Sequence, residues 1–300
     1  RNLMGSIVGR GQQVEKEDKV EILVGFARSN SKRLQQRTAT KLFSLVRTSD
    51  ERRAEIAKDG GIEALVELFN SKSEEASEMA LRSIIELSKQ EIYRDHVLEH
   101  GGWNALVAAI KSNRLNLREM ALDTMISLCE SECYRTKVVD EGLLSCFLKI
   151  SSLSCTDNRA RASFVDIKAM QITHVITKIQ PIPRFVAMTT LDPLFSIVQS
   201  TLTSAQHKIM ATEILVHLCS DADHHSSVAA CCGGFGIARV VNLTRLSNPA
   251  LASAAADMLA SLAASPDVVP KMIKSNAPAG LASLLRRRRT PLLVARVLAS

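Results

Sequence analysis

"NRLNLREMALDTMISLCESECYRTKVVDEG", residues 113–142, carries two apolar ridges at helical spacing and ends on a glycine. Moved back by 41 positions, much of it fits again. Arg53, Arg94 and Arg135 stand 41 apart, and so do Ile56, Val97 and Val138, and Gly60, Gly101 and Gly142. Further rungs share the register: Ala64, Ala105 and Cys146; Leu65, Leu106 and Phe147; Ala80 and Ala121; Leu87 and Leu128. A period of 20 to 50 residues marks a solenoid, in which no unit buries its own apolar face and each must stack on the next.

Each unit reads as three helices. A short one carries Arg-x-x-Ile/Val and stops at Gly or Gly-Gly, the chemistry of a left-handed C-cap where a β-carbon would clash. An apolar second helix follows, "GIEALVELF" or "GWNALVAAI", closed by a polar turn, "NSKSEE" or "KSNRLN", whose Ser or Asn can cap the next helix. The third is longest. "EEASEMALRSIIELS" sets Ala76, Met79, Ala80, Ile84 and Leu87 on one buried stripe.

The second-helix pattern recurs as "VEILVGFA" (20–27), "LDPLFSIV" (191–198), "IARVVNL" (237–243) and "GLASLL" (280–285), which makes seven registers. The spacing is 41 from Leu65 to Phe147, then 47 to Leu194, 46 to Val240 and 41 again to Leu281. The excess is expected in exposed turns. One lies near "SCTDNRA" or "IQPIPRF", where Pro181 and Pro183 stop any helix, and one lies between 199 and 233.

"RAEIAKDGGIEALVELFNSKSEEASEMALRSIIELS", residues 53–88, resembles an armadillo repeat: a short helix ending at glycine, an Ile-x-x-Leu-Val-x-Leu-Leu helix, then Ala-Leu-x-x-Leu-x-x-Leu. Repeats at 53–140 match well, the outer ones less so, and 150–190 poorly. The resemblance implies an all-α fold, a right-handed α-solenoid of armadillo-type three-helix repeats, whose third helices line a concave groove for extended peptides or partner domains. Residues 1–300 then form a single armadillo-repeat domain of six to seven repeats. Its first and last repeats are incomplete, and it is irregular at 150–190 and 199–233. Beginning at Arg1 and stopping within "LLVARVLAS", the chain reads as a fragment of a longer protein.

In armadillo proteins of the importin kind, the third helix presents a Trp and, four residues on, an Asn, which clamp a nuclear localisation peptide. Here the Trp positions hold Thr40, Arg82, Asp123, Glu213 and Asp257, and the Asn positions hold Ser44, Glu86, Ser127, His217 and Ser261. An amide both donates to and accepts from a strand's backbone, which serines and acids do not copy, so import cargo is not expected. The positions still suit a partner. Asp123, Glu213 and Asp257 fit basic or mixed-charge segments, and Arg82 and His217 fit carboxylates. The competing view, solvated helix faces, holds for any one of them taken alone.

Charge is concentrated by position. The formal net charge is +7, all of it in the second half, and five cations follow residue 285. Arg286, Arg287, Arg288 and Arg289 form a basic patch suited to phosphates or acidic peptides. Without aromatic stacking partners or a groove-reading motif it does not indicate nucleic acid. Trp103, the only tryptophan, is expected to pack between repeats.

Chemistry is sparse. The seven cysteines are odd in number and lack framework spacing, as in reduced cytosolic proteins. "CSDADHHSSVAACCGG", residues 219–234, offers Cys219, His224, His225, Cys231 and Cys232, but their spacing fits no common zinc finger, so no metal is assigned. Cys231 and Cys232 are expected as small buried residues at the end of the short helix, with Gly233, Gly234 and Gly236 an enlarged repeat turn. His96, Glu99 and His100 do not follow the His-Glu-x-x-His order. No cofactor, catalytic set, signal peptide or uncharged apolar run of about 18 residues is read. Two functions remain. One is a non-enzymatic scaffold in the cytoplasm or nucleus, binding proteins or peptides through the groove. The other is a regulatory or substrate-recognition module of a larger enzyme, such as a U-box ubiquitin ligase.

Overall fold

The computed structural model describes residues 19–152, 164–179 and 181–286, and every element among them is helical. Arg287, Arg288, Arg289, Cys155 and the "SCTDNRA" turn lie outside the described residues. The chain divides into two compact units, the first ending at Thr124 and the second starting at Met125. The first contains α1 (Val20–Ala27), α2 (Lys32–Thr48), α3 (Asp50–Lys58), α4 (Gly61–Phe69), α5 (Glu74–Ser88), α6 (Glu91–Val97) and α7 (Trp103–Lys111). Helix α8 (Leu115–Leu128) runs across the boundary. The second contains α9 (Glu132–Asp140), α10 (Leu143–Ser152), α11 (Phe164–Ile179), α12 (Arg184–Gln199) and α13 (Ala205–Ser220). It continues with α14 (His225–Gly234), α15 (Gly236–Leu243), α16 (Pro249–Ala263), α17 (Val269–Lys274) and α18 (Ala277–Arg286).

The glycine ladder behaves as its chemistry requires. Gly60, Gly101 and Gly142 sit at φ of +74°, +106° and +66°, and Asn276, the non-glycine residue that best tolerates this region, takes the same place at +61° before α18. The second glycine of each pair answers a different need. A β-carbon on Gly61 or Gly102 would stand 2.7 or 2.6 Å from the carbonyl oxygen of Ile56 or Val97, so two helices meet backbone to backbone at the bend.

The arginine ladder closes the preceding long helix. Arg53 Nε donates to the Val46 carbonyl at 2.8 Å, Arg94 Nε to Ser88 at 3.0 Å, and Arg135 Nη1 to Cys129 and Glu130, both at 2.8 Å. The last turn of a helix has carbonyls with no intrahelical partner and the negative end of its dipole, and a guanidinium answers both. Further along, His225 does the same work. Its Nε2–H donates to the Cys219 carbonyl at the end of α13 at 2.8 Å, while its Nδ1 accepts from the Ser265 hydroxyl at 2.5 Å. Helix starts are capped as the polar turns suggest. Ser31, Ser49, Ser73, Ser204 and Asn248 each accept a first-turn N–H, an arrangement typically contributing about 1 kcal/mol per cap.

The long helices pack on one another within each unit, α2 on α5 in the first, α11 on α13 and α13 on α16 in the second. Their inward faces are fully buried: Ala39 and Leu42; Ala80, Leu81, Ile84 and Leu87; Ala169 and Ile176; Ala211 and Leu215; Ala255 and Leu259. This repeating helix-on-helix packing is that of an all-α solenoid of helical repeats. The expected stripe on α5 is wider than its spacing implied, because Ser77, Leu81, Ser83 and Ser88 are buried too, while Met79 stands half-exposed on its margin. Ser83 and Ser88 manage burial by donating to the Met79 and Ile84 carbonyls one turn back. Trp103 is buried as expected.

Two expectations need correction. The second helix at 191–198 is not separate: α12 runs from Arg184 through Pro193 to Gln199. The first and second helices are fused here because Thr189 and Thr190 stand where the copies at 60–61 and 101–102 have Gly-Gly, and nothing turns the chain. Cys231 and Cys232 do not end a short helix. They have left helical geometry, Cys231 at ψ 165° and Cys232 at φ +55°, and lie half-buried in the turn.

Among the described residues no single helix is long and apolar enough to cross a membrane. One pair, Ala222–Gly234 with Gly236–Leu243, has the composition but bends by 91°.

Candidate functional site

The expected groove residues lie on the long helices, and their placement can be followed unit by unit. In the first unit, Thr40 and Ser44 are exposed on α2 and line a cleft of about 760 Å³ with Phe26, Arg33, Arg37 and Lys41. On α5, Arg82 is exposed and Glu86 half-buried. Arg82 is held by its own helix, with Nη2 2.9 Å and Nε 3.2 Å from Glu78 Oε1. The other oxygen of Glu78 accepts from Asn116 Nδ2 of α8 at 2.9 Å. Arg114, just before α8, donates to the Glu74 carbonyl at 2.9 Å. Glu86 pairs with Lys89 at 2.9 Å. Glu78 thus joins Arg82 to the next long helix, and one expected cation is already matched within the fold. Asp123 is exposed on α8.

In the second unit, Ser127 is exposed near the end of α8. Glu213 and His217 are exposed on α13, one turn apart, and Asp257 and Ser261 are half-exposed on α16. The structure adds a residue that the repeat register did not supply, His174 on α11. Its Nε2–H donates to Glu213 Oε2 at 2.7 Å, bridging two stacked long helices. His174, Thr177, Lys178, Glu213, His217 and Ser220 line a depression of about 300 Å³ between α11 and α13. Ile209, one turn before Glu213, and Val175 beside His174 are exposed too, so apolar surface borders the charges. Burial pushes the Asp257 carboxyl above the usual carboxylate range.

A helical period alone would have located His174. Val165, Ala169, Ile172 and Ile176 form the inward stripe of α11 and leave Lys168, Gln171, His174 and Lys178 on the other side. The signal was obscured because the Arg and Gly ladders that set the register do not continue through this copy. Arg286 is exposed at the end of α18.

Among the described residues, the histidines and cysteines of residues 219–234 do not gather into one ligand set. Cys219 is fully buried, and burial pushes its thiol up to about 12. His225 is engaged with Ser265 and the Cys219 carbonyl, and His224 lies 3.5 Å from Asp221. His96 and His100 meet each other edge to face, 4.1 Å between ring centres, and His96 Nε2–H donates to the Ala57 carbonyl at 3.1 Å. Among the described residues, Ser204 pairs with His207 at 2.8 Å and Ser265 with His225, and both pairs serve helix ends.

No family profile matches the chain, and no curated protein does. Solved structures do. An engineered protein aligns over 94% of this chain and 67% of its own, at 21% identity and a TM-score of 0.53. Computationally designed armadillo repeat proteins for modular peptide recognition align over 81% of this chain and 99% of theirs, at 16% identity and TM-score 0.53. A designed armadillo repeat protein in complex with the peptide (KR)4 aligns over the same shares at 16% identity and TM-score 0.51. With its glycine bends, capped carbonyls and stacked long helices, this chain has the armadillo-repeat fold.

Proposed function

We propose that the chain is a non-enzymatic binding module. In this reading the three-helix repeats wind as a right-handed superhelix, and the outward faces of the long helices form a groove that holds an extended polypeptide carrying basic side chains. The single observation that carries it is the shared register: Arg82, Asp123, Glu213 and Asp257, which correspond in the sequence repeat, stand exposed or half-exposed on long helices, with Glu78 and His217 one turn away on the same helices. Solvation alone does not require carboxylates to recur at one register with an open depression between two of the helices. The complex of a designed armadillo protein with (KR)4 supports the same chemistry, a row of cations laid along repeats. The fixed Arg82–Glu78–Asn116 chain would set the spacing of subsites rather than bind charge itself, since its guanidinium is already paired.

The test is a titration of an alternating Lys-Arg peptide, followed by fluorescence anisotropy, against the wild-type chain and Glu213→Lys combined with Asp257→Lys. We expect at least a tenfold loss of affinity with the helical circular dichroism unchanged. Equal affinity in the double variant would retire the groove. Binding should also tighten as pH rises through the carboxylate range. Burial makes Asp257 hold its proton to a higher pH than an ordinary carboxyl, and a docked cation favours the ionised form.

A further inference from the structure

The fold brings together three groups that the sequence keeps apart. Asp192 lies on α12, and Cys231 and Cys232 lie some 40 residues later in the turn that precedes α15. Their donor atoms, one carboxylate oxygen and two thiol sulfurs, all fall within 4.8 Å of one another. We propose that Asp192, Cys231 and Cys232 form a binding site for one thiophilic divalent ion of the zinc class, held by two thiolates and a carboxylate with a fourth position left to solvent.

The backbone supplies the first argument. Neighbouring cysteines in a helix or a strand direct their side chains apart and seldom chelate one ion. Here Cys231 is extended and Cys232 left-handed, at φ −62°, ψ 165° and φ 55°, ψ 38°. This bend resembles the central pair of a type II turn, whose second residue is ordinarily glycine. Gly233 and Gly234 follow directly in left-handed geometry, at φ +68° and +88°, so residues suited to the conformation are adjacent, yet a side chain with a β-carbon occupies 232. What that placement achieves is a shared side for the two sulfurs.

The second argument is the carboxylate. Asp192 Oδ1 accepts the Cys232 backbone N–H at 2.7 Å, which fixes the acid against the turn. Tetrahedral coordination needs sulfurs about 3.8 Å apart for metal–sulfur bonds of about 2.3 Å, and oxygen at about 2.0–2.2 Å. The present separations, all within 4.8 Å, are already close to those spans. A vicinal disulfide is the poorer fate for this pair: adjacent Cα atoms across a trans peptide are about 3.8 Å apart, below the usual range for bridged cysteines of about 4.4–6.8 Å.

Burial raises both thiols above their ordinary value, and the Asp192 charge raises them further, so without metal they hold their protons. Arg239, which bonds Gln199, opposes this slightly at Cys232. Metal binding reverses the balance. Two S–H bonds break, two metal–sulfur bonds form from the electron pairs left on sulfur, and two protons pass to the buffer.

The experiment uses the chain stripped with a chelator under reducing conditions and titrated with Cd²⁺, then Zn²⁺ in competition. Thiolate-to-cadmium absorption and the pH of a weakly buffered solution are both recorded. We expect one equivalent bound per chain with about two protons released, the signal unchanged in Cys133→Ser, an exposed cysteine elsewhere. It should be lost in Cys231→Ser with Cys232→Ser. Asp192→Asn keeps an acceptor for the Cys232 N–H and should weaken binding by at least about tenfold. A wild-type chain that takes up no stoichiometric cadmium, or a double-serine variant that keeps the absorption, overturns the site, and the first result does so whether or not the variants fold. Peptide affinity is a separate reading, so either proposal can fail without the other.

Discussion

At the scale of single residues, polar side chains at helix ends decide more than their exposure suggests. Arg94 closes α5 by donating to the Ser88 carbonyl, a charged hydrogen bond to a buried helix end. Such bonds contribute about 1.5–3 kcal/mol, so Arg94→Ala should lose about that much in urea denaturation. Arg94→Lys should recover little, because the planar fork and not the charge meets the carbonyl. His207 provides a pH signature. It is fully buried at the start of α13, its Nδ1 meets Ser204, and its Nε2 has no partner. Burial holds its pKa below the ordinary 6.5, with Asp166 opposing. The unfolded chain therefore takes the proton first. Stability from this residue is constant above pH 6.5 and falls as pH drops below it. In His207→Gln the acid limb of a stability–pH curve should be shallower by up to about one proton; an identical slope would contradict the burial argument.

At the scale of elements, the bends were legible in the sequence and the fused helix was not. Glycine at a recurrent position has one dominant physical use, so Gly60, Gly101 and Gly142 marked their turns before any coordinate was known. Gly101→Val should cost about 2 kcal/mol or more in thermal denaturation, since its φ of +106° excludes branched side chains and its β-carbon would meet Val66 at 3.2 Å. Gly102→Ala should cost more than its small size suggests, because the new carbon would face the Val97 carbonyl oxygen at 2.6 Å. Near-wild-type melting of both variants would undo the repeat boundaries. Helix α12 was misread for the converse reason. The pattern "LDPLFSIV" was read as a helix of its own, but with Thr189 and Thr190 in place of glycines no bend precedes it, and one helix runs on through Pro193. The Cys231–Cys232 turn was missed because no spacing rule reports a left-handed cysteine. The three-residue grouping with Asp192 depends on a pairing of elements about 40 residues apart.

At the scale of the whole molecule, what repeats within each unit is an arrangement of surfaces: an apolar face packed on the neighbouring helices and a polar face on the long helices. The period near 41 exposed that plan, since Ala80, Ile84 and Leu87 are buried where their spacing puts them. The candidate surface was half legible. Arg82, Asp123, Glu213, His217 and Asp257 follow from register and His174 from the helical period of α11, whereas the pairings of His174 with Glu213 and of Arg82 with Glu78 depend on side-chain geometry that no spacing encodes. Glu213→Lys with Asp123→Lys should weaken capture of a basic partner in a pull-down and leave helical content intact.

The most direct test of the binding face is carbodiimide labelling of carboxylates, read by peptide mass spectrometry with and without the Lys-Arg peptide. The account predicts protection of Glu78, Asp123, Glu213 and Asp257 on the long helices, and none at Glu51 or Asp267, which are exposed elsewhere. Protection spread evenly over all six, or confined to the last two, would contradict it.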